Sequence, residues 1–260
     1  PYGIYQCICI VFRNSGNMDA TVLYTMAYNL RYFIENINME GCVRLAADMP
    51  DKSVAILVNA QSVQSTAKLV NSVAGYVRAK MATAVTIGIG KPVGCLMELH
   101  YSYQTAVNSM KYRYLIPEAE IFNAEDIEKL DKNTEKIDLS LNEAFERSLN
   151  NMDQDGIDAA LGSIFKAIRE KALSYDSVQE EIFTLMKILN DKKEQFKLKS
   201  SDLFDLKVSS LFSQQNDIRE TEVLIKSLCE KYINIRREAL GKKISEEIKK
   251  IKEYLRAKIF

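Results

Sequence analysis

The chain of 260 residues has few of the residue types that build common catalytic and metal sites. It has one histidine, His100, no tryptophan, and five cysteines that form no CxxC pair. These shortages argue against zinc sites of the Cys/His kind and against His-based catalysis. An odd set of cysteines without metal-ligand spacing is typical of reduced thiols in a cytoplasmic protein.

Long apolar runs and an excess of one charge are also missing. No stretch approaches the roughly 18 continuous apolar residues that a membrane span needs, and the first residues lack the order of a signal peptide. The 35 Lys and Arg side chains balance the 35 Asp and Glu side chains. We therefore expect a globular, cytoplasmic segment that makes no membrane contact.

Composition changes along the chain and predicts two domains. All four prolines and seven of the ten glycines lie in the first 117 residues. Residues 118–158 carry 4 basic and 13 acidic side chains, whereas residues 231–260 carry 10 basic and 4 acidic ones. We expect a first domain at 1–130 and a helical connector at 131–260.

The first domain alternates strand and helix patterns. β-branched and aromatic residues predict strands, and apolar residues at spacings of three and four predict helices. The predicted order begins with strand 4–12, a helix capped at 17–19, and strands 42–47 and 53–59 joined by a turn at 48–51. It continues with a helix capped by Ser62, strand 84–89, a helix with apolar positions from Leu96 to Tyr114, and strand 120–123. This β-α-ββ-α-β-α-β order predicts an α+β sandwich with helices on a mostly antiparallel sheet.

The second domain is predicted to be all-α. Helices are expected to start near residues 140, 155, 177, 217 and 243, with a shorter one at 203–212. Ser140 with Glu143, and Ser177 with Glu180, have the spacing of capping boxes.

Residues 86–126 carry the most informative pattern. Gly88-Ile-Gly90 ends a strand, and the next helix carries Ser102-Tyr103, Ala106, Ser109 and Tyr112-Arg113-Tyr114. This arrangement resembles the GGDEF-like domain in the middle of AraC-type transcriptional regulators, including response regulators of two-component systems. The resemblance covers residues 4–128 and continues more weakly through the helical part.

The resemblance implies a cyclase-like fold without cyclase chemistry. The hairpin that holds glycines and a metal-binding acid in diguanylate cyclases is here PDKSV at 50–54, with Lys52 at the acid's place. The first strand has Ile8, Ile10 and Phe12 where a second metal carboxylate is expected. A two-metal phosphoryl-transfer site needs such carboxylates. We therefore expect no catalytic residue, no metal site and no cofactor.

Three smaller features have competing interpretations. Gly88-Ile-Gly90-Lys91 could cradle a phosphate, but its spacing matches no phosphate-binding motif, so a close backbone approach is favoured. His100 is expected at a solvent edge or helix cap rather than as a ligand. Cys7 and Cys9 share one strand face and are expected in the core rather than in redox sensing.

The C-terminal residues form an apolar seam with basic residues on the opposite face. The seam consists of Ile244, Ile248, Ile251, Leu255 and Ile259. It suits either an ordinary amphipathic end helix or a dimerising helix that leads to a DNA-binding domain. In AraC-type regulators, a similar helix directly precedes the helix-turn-helix domain.

The resemblance implies a bacterial, non-catalytic region for signal transmission and dimerisation. We expect a homodimer, cut off before a C-terminal domain through which the full protein binds DNA. The input would come from an N-terminal phosphoacceptor receiver or membrane sensor. The alternative is a domain that senses a small metabolite or nucleotide in a degenerate cyclase cleft.

Overall fold

The computed structural model describes residues 2–13, 18–81, 83–133, 135–171, 173–196, 212 and 217–259, with side chains to residue 255. Two compact units are present. The first comprises Pro1–Asn133 with Gln214–Asp217, and the second comprises Thr134–Ser213 with Ile218–Phe260.

The first unit is α+β, and its element order confirms the order predicted from the sequence. Its elements are β1 (Ile4–Phe12), α1 (Ala20–Asn36), β2 (Cys42–Asp48), β3 (Val54–Ala60), α2 (Val63–Lys80), β4 (Val85–Ile89), α3 (Leu99–Ser109), β5 (Ile121–Asn123) and α4 (Ala124–Asp131). Short 3-10 turns at Leu96–Glu98 and Met110–Tyr114 flank α3. The caps expected at Asp19 and Ser62 are present, since each side chain accepts a hydrogen bond from a first-turn N–H.

The five strands form one mixed sheet in the order β2-β3-β1-β4-β5. Every pairing is antiparallel except that of β4 with β5. The central strand β1 places Ile8 beside Ile56 on β3 and beside Ile89 on β4. The edge strand β2 is joined to β3 by a tight hairpin.

One face of the sheet is covered by α1 and α2. Alternate residues of β1, namely Ile8, Ile10 and Phe12, point into this layer because strand side chains alternate between faces. The helices contribute stripes at spacings of three and four. These stripes contain Leu23, Ala27, Leu30 and Ile34 from α1 and Leu69, Val70, Val73, Ala74 and Val77 from α2.

The other face of the sheet is only half covered. The helix α3 lies against β1 and β4, and the buried hydroxyl of Ser102 accepts a hydrogen bond from the Cys7 N–H at 2.9 Å. On β2 the side chains of Val43 and Leu45 remain exposed. Between them, Arg44 turns the opposite way and donates to the carbonyls of Ile34 and Ile37 at the end of α1.

The apolar stripe predicted for the third helix is wrong at two positions. Leu96 and Val107 are exposed, and the buried positions of α3 are Leu99, Ser102, Ala106 and Ser109. The structure explains the difference by a close contact between α3 and β4, in which small residues rather than large apolar ones face the sheet. The chain then tightens into a 3-10 turn, where Tyr112 and Tyr114 are buried.

The second unit is helical throughout its described residues. It contains α5 (Leu139–Asn151), α6 (Gln154–Glu170), α7 (Tyr175–Gln195) and α8 (Ile218–Ile259). Its core consists of Phe145 and Leu149 from α5, Ile157, Leu161, Ile164 and Phe165 from α6, Ile182, Leu185 and Leu189 from α7, and Ile225, Leu228 and Tyr232 from α8.

Four of the predicted helix starts, near residues 140, 155, 177 and 217, are confirmed to within two residues, whereas the predicted capping boxes and the start near residue 243 are wrong. The caps of α5 and α7 are Asp138 and Ser174, which accept from the N–H groups of Ser140 and Ser177. The two predicted capping boxes therefore lie within the first turns. A new helix near residue 243 is not seen, because α8 runs without a break for 42 residues. The helix predicted at 203–212 lies outside the described residues except for its last one.

None of the helices in the described part of the chain combines the length and apolar character required to cross a membrane.

We expect the same substitution, Val to Asp, to cost much more stability on one face of the sheet than on the other. Val58→Asp should destabilise the protein by more than about 4 kcal/mol, because Val58 is 1% exposed beneath the helices and the charge would lack a partner. Val43→Asp should change stability by no more than about 1 kcal/mol, because Val43 is 64% exposed. Urea unfolding monitored by circular dichroism measures both. Equal losses would contradict the assignment of the two faces.

Candidate functional site

The β2–β3 hairpin lies where the resemblance places a nucleotide-binding loop. The turn occupies residues 49–52, with a 2.9 Å hydrogen bond from the Lys52 N–H to the Met49 carbonyl. It was predicted one residue earlier, but β2 continues through Asp48. Pro50 takes the second turn position, which its fixed φ favours. Lys52 follows with φ +65°, in the left-handed region usually taken by glycine.

The charged side chains of this hairpin have structural roles. The Asp51 carboxylate accepts from the Ser53 N–H at 3.0 Å and from the Ser53 hydroxyl at 2.6 Å, which closes the turn. The Lys52 ammonium lies 5.9 Å from the ring centroid of Tyr24 on α1. Lys52 therefore places a cation at the position to which the resemblance assigns a metal-binding acid.

The central strand supplies no carboxylate on either face. Ile8, Ile10 and Phe12, where the resemblance expects a second metal carboxylate, lie in the core beneath α1 and α2. The opposite face of β1 instead presents Cys7 and Cys9 toward α3. Burial raises the pKa of the Cys7 thiol to about 11 and that of Cys9 to about 12. Both thiols are therefore protonated core groups at neutral pH.

No group of three or more His, Cys, Asp or Glu side chains suited to a metal ion occurs among the described residues. The residues at the hairpin and on β1 do not form the paired carboxylates that a two-metal mechanism uses. The arrangement therefore offers no described set of ligands for phosphoryl transfer.

The glycine step after β4 is a packing contact. A Cβ atom on Gly88 would lie 2.2 Å from the Ala106 carbonyl oxygen, and one on Gly90 would lie 2.0 Å from the Ser102 carbonyl oxygen. The backbone of α3 thus fills the space that a phosphate would need. Lys91 is also engaged, since its ammonium lies 2.8 Å from the Glu128 carboxylate. These distances favour the close-approach interpretation of the motif.

His100 is exposed on α3, and its Nδ1 lies 2.9 Å from the Met97 carbonyl oxygen. This placement at the start of the helix agrees with the expected solvent-edge role. Two tyrosines of the motif at residues 86–126 have a structural role. Tyr112 and Tyr114 are buried, and the Tyr112 hydroxyl donates to the Asp131 carboxylate.

An exposed aromatic face on α1 is a feature that the sequence reasoning missed. Tyr24, Tyr28 and Tyr32 are each more than half exposed, one helical turn apart. Cations flank two of them, because the Arg31 guanidinium lies 5.5 Å from the Tyr28 ring and Lys52 lies near Tyr24. The spacing of four residues between these tyrosines is the signal in the sequence that could have identified this face.

The last part of α8 differs from the rest of the helix. Its first turns are buried against α6 and α7. Arg236 marks the end of this packed part: its Nη1 donates to the carbonyls of Leu149 and Asn150 at 2.9 and 2.8 Å, and its guanidinium lies 3.6 Å from the Phe196 ring. Residues 237–255, here called the terminal segment, are all exposed.

Four of the five residues of the predicted apolar seam lie in this terminal segment and have no described partner in the chain, and the side chain of the fifth, Ile259, lies outside the described residues. Ile244, Ile248, Ile251 and Leu255 are 47–59% exposed. An ordinary amphipathic end helix would bury such a stripe against its own domain. The segment instead presents four large aliphatic side chains to solvent over a length of about 17 Å, at 1.5 Å per residue.

Comparison of the chain with models of protein families, with characterised proteins and with solved structures gives no match.

A pair of glycine substitutions tests the contact between α3 and β4. Gly90→Ala should destabilise the protein by about 2 kcal/mol or more, because the new methyl group would overlap the Ser102 carbonyl. Gly75→Ala makes the same change in the middle of α2, where nothing lies within 4 Å. It should stabilise the protein by about 0.5–1 kcal/mol. Chemical denaturation measures both, and a neutral Gly90→Ala would contradict the contact.

The hairpin geometry predicts that the protein forms no cyclic dinucleotide from GTP. Lys52 stands where the resemblance expects the acid, and the described residues of the hairpin and β1 form no paired carboxylates that could hold Mg²⁺ or Mn²⁺ against the phosphates. Chromatography of reactions containing GTP and either metal provides the measurement, with an active diguanylate cyclase as the positive control. Product above the level of a protein-free reaction would contradict the interpretation.

Proposed function

We propose that this chain is a non-catalytic region for signal transmission and self-association in an AraC-type transcriptional regulator, located in the cytoplasm. It would couple an N-terminal sensory input to a DNA-binding domain, both outside this chain. The proposed first unit is a degenerate, cyclase-like GGDEF domain. The element order of that unit and the motif of residues 86–126 support this assignment.

The exposed seam on the terminal segment is the observation that carries the proposal. Burying a fully exposed Leu or Ile side chain contributes about 1.5–3 kcal/mol, so a half-exposed one could contribute about 1 kcal/mol. Four such side chains lie in one row on a single helix, at 244, 248, 251 and 255. A helix that remains intact while exposing this row is suited to receive a partner.

The continuity of α8 suggests how a state could be transmitted. The same helix contributes Ile225, Leu228 and Tyr232 to the core of the second unit and then carries the seam. A change in packing around these core residues would move or rotate the seam, since an unbroken helix moves as one element. The geometry of an assembly, rather than a chemical product, would then be the output.

The absence of paired carboxylates from the described hairpin and central strand supports a non-catalytic role. In this proposal the first unit contributes a folded surface. The enzyme alternative would need metal ligands at places now held by Lys52 and by buried apolar residues of β1.

A second candidate function is the sensing of a small metabolite or nucleotide by the first unit. The exposed aromatic face of α1, with Lys52 beside Tyr24 and Arg31 beside Tyr28, favours this possibility. Aromatic rings flanked by cations can stack on a planar anionic ligand. The Arg31 guanidinium is paired with the Asp48 carboxylate at 3.0 Å, so Lys52 would be the main cation for such a ligand. A thermal-shift screen with nucleotides and metabolites tests it, with Tyr24→Ala as the matched variant.

Self-association provides the direct test of the proposed function. We expect the intact chain to associate in a concentration-dependent way and Ile248→Lys to abolish this, because it would place a charge in the seam. Glu246→Lys adds the same side chain to the opposite side of the exposed helix and should preserve association. Light scattering after size-exclusion chromatography measures all three.

Neither substitution should alter the fold, since both positions are exposed in the terminal segment. Equal helical content and melting temperature would show this. A chain that stays monomeric at every concentration would overturn the proposed self-association, as would association that Ile248→Lys leaves unchanged.

A further inference from the structure

The apolar face of the terminal segment is not a continuation of the face that α8 buries. At 3.6 residues per turn, the buried positions of the packed part, from Ile218 to Ile233, centre on one direction around the helix axis. The seam positions from Ile244 to Leu255 centre about 110° away from it. The seam is therefore a separate surface, directed at something other than the core of its own unit.

The seam has the spacing of a short coiled coil. Intervals of 4, 3 and 4 residues place Ile244 and Ile251 at d positions of a heptad and Ile248 and Leu255 at a positions. In the same register Gly241 takes the preceding a position and Lys258 the following d position. The four apolar layers are thus bounded by Gly241 on the N-terminal side and by Lys258 on the C-terminal side.

Charge complementarity identifies the partner and its direction. The register places Glu247 at g and Lys252 at the e position five residues later, and both are exposed. In a parallel, in-register assembly of identical helices, each g side chain faces the e′ side chain of a neighbour. Every Glu247 would then meet a Lys252 of another copy. An antiparallel arrangement brings g toward g′ and e toward e′, which would separate these opposite charges.

Two observations indicate more than two strands. Isoleucine at both a and d, or leucine at a with isoleucine at d, shifts parallel coiled coils from dimers to trimers or tetramers. The layers here fit those cases, with Ile248 and Leu255 at a and isoleucine at both d positions. The apolar face is also wider than a strict a/d seam, because Leu240 and Tyr254, 40% and 59% exposed, both fall at g.

The outer surface of the segment fits an assembled helix. The b and c positions carry Lys242, Lys243, Lys249, Lys250 and Arg256. Glu246 and Glu253 fall at f, between them, three or four residues from lysines of the same helix. Such spacing supports ion pairs within one helix and a solvated outer face. The opposite charges of Glu247 and Lys252 lie instead on the two flanks of the seam.

We infer that the terminal segment of α8 pairs with the same segment of further copies of this chain, forming a parallel, in-register bundle of three or four helices. The inference rests on the proposed self-association and specifies its geometry. It replaces the homodimer expected from the sequence with a larger assembly.

Two measurements on the full chain test how many helices form the bundle: the mass of the assembly, and the effect of exchanging leucine and isoleucine within the seam. Sedimentation equilibrium across a concentration series should give an assembly of three or four times the 29.6 kDa chain mass. The variant I244L/I251L/L255I places leucine at both d positions and isoleucine at both a positions, which favours two strands and leaves the chain mass unchanged because leucine and isoleucine are isomers. It should form dimers. A wild-type dimer, or a variant of unchanged stoichiometry, would overturn the inferred strand number while leaving self-association intact.

Charge exchange tests the direction. Glu247→Lys should weaken association roughly tenfold or more, because it replaces several attractive contacts in each assembly by repulsive ones. The double variant E247K/K252E restores every g–e′ pair and should recover wild-type association. Failure of the double variant to recover would overturn the parallel arrangement. A monomeric wild-type chain would overturn both this inference and the proposed function.

Discussion

The anchoring of one long helix at Arg236 is the constraint on which the second unit and its exposed segment depend. Before this residue α8 is a core element, and after it every described side chain is exposed. Hydrogen bonds to the last carbonyls of α5 and the contact with the Phe196 ring hold the helix where it leaves the core. The hydrogen bond to Asn150 also provides a partner for a carbonyl at the end of α5, whereas the Leu149 carbonyl in addition accepts from the Met152 N–H at 3.2 Å. The helix thus leaves its unit from a fixed base.

The first unit requires glycine at one place and does without it at another. The hairpin closes through Pro50 and Asp51 and holds Lys52 in a left-handed conformation, so its geometry does not depend on glycine. The glycines that do matter lie after β4, where α3 approaches the sheet. The close approach of two elements, rather than the hairpin loop, is therefore what requires glycine in this unit.

Sequence reasoning predicted the alternating elements because strand and helix periodicities differ clearly in the first unit. It failed where neighbouring signals compete. Ser140 and Ser177 form plausible capping boxes, but Asp138 and Ser174 lie two and three residues earlier and take the caps. It also misjudged α3, since burial of Ser102 depends on how closely that helix approaches Gly90, which no pattern records.

The continuity of α8 and the exposed tyrosines of α1 were missed for different reasons. The helix predicted to start near residue 243 belongs to α8, which continues through Gly241 because a single exposed glycine costs only about 1 kcal/mol. The spacing of Tyr24, Tyr28 and Tyr32 was visible, but periodicity alone does not say which face of an amphipathic helix is buried. For the seam the spacing identified an apolar row, and four of its residues are exposed in the structure.

The half-covered face of the sheet has a consequence for solubility. The edge strand β2 carries exposed Val43 and Leu45, and its sequence CVRLAAD contains neither proline nor lysine, two residues that commonly prevent strand addition at an edge. Its one basic residue, Arg44, turns away to cap the carbonyls at the end of α1. The outer backbone of β2 can therefore pair with a further strand. At high protein concentration, we expect the first units of different molecules to aggregate edge to edge through β2.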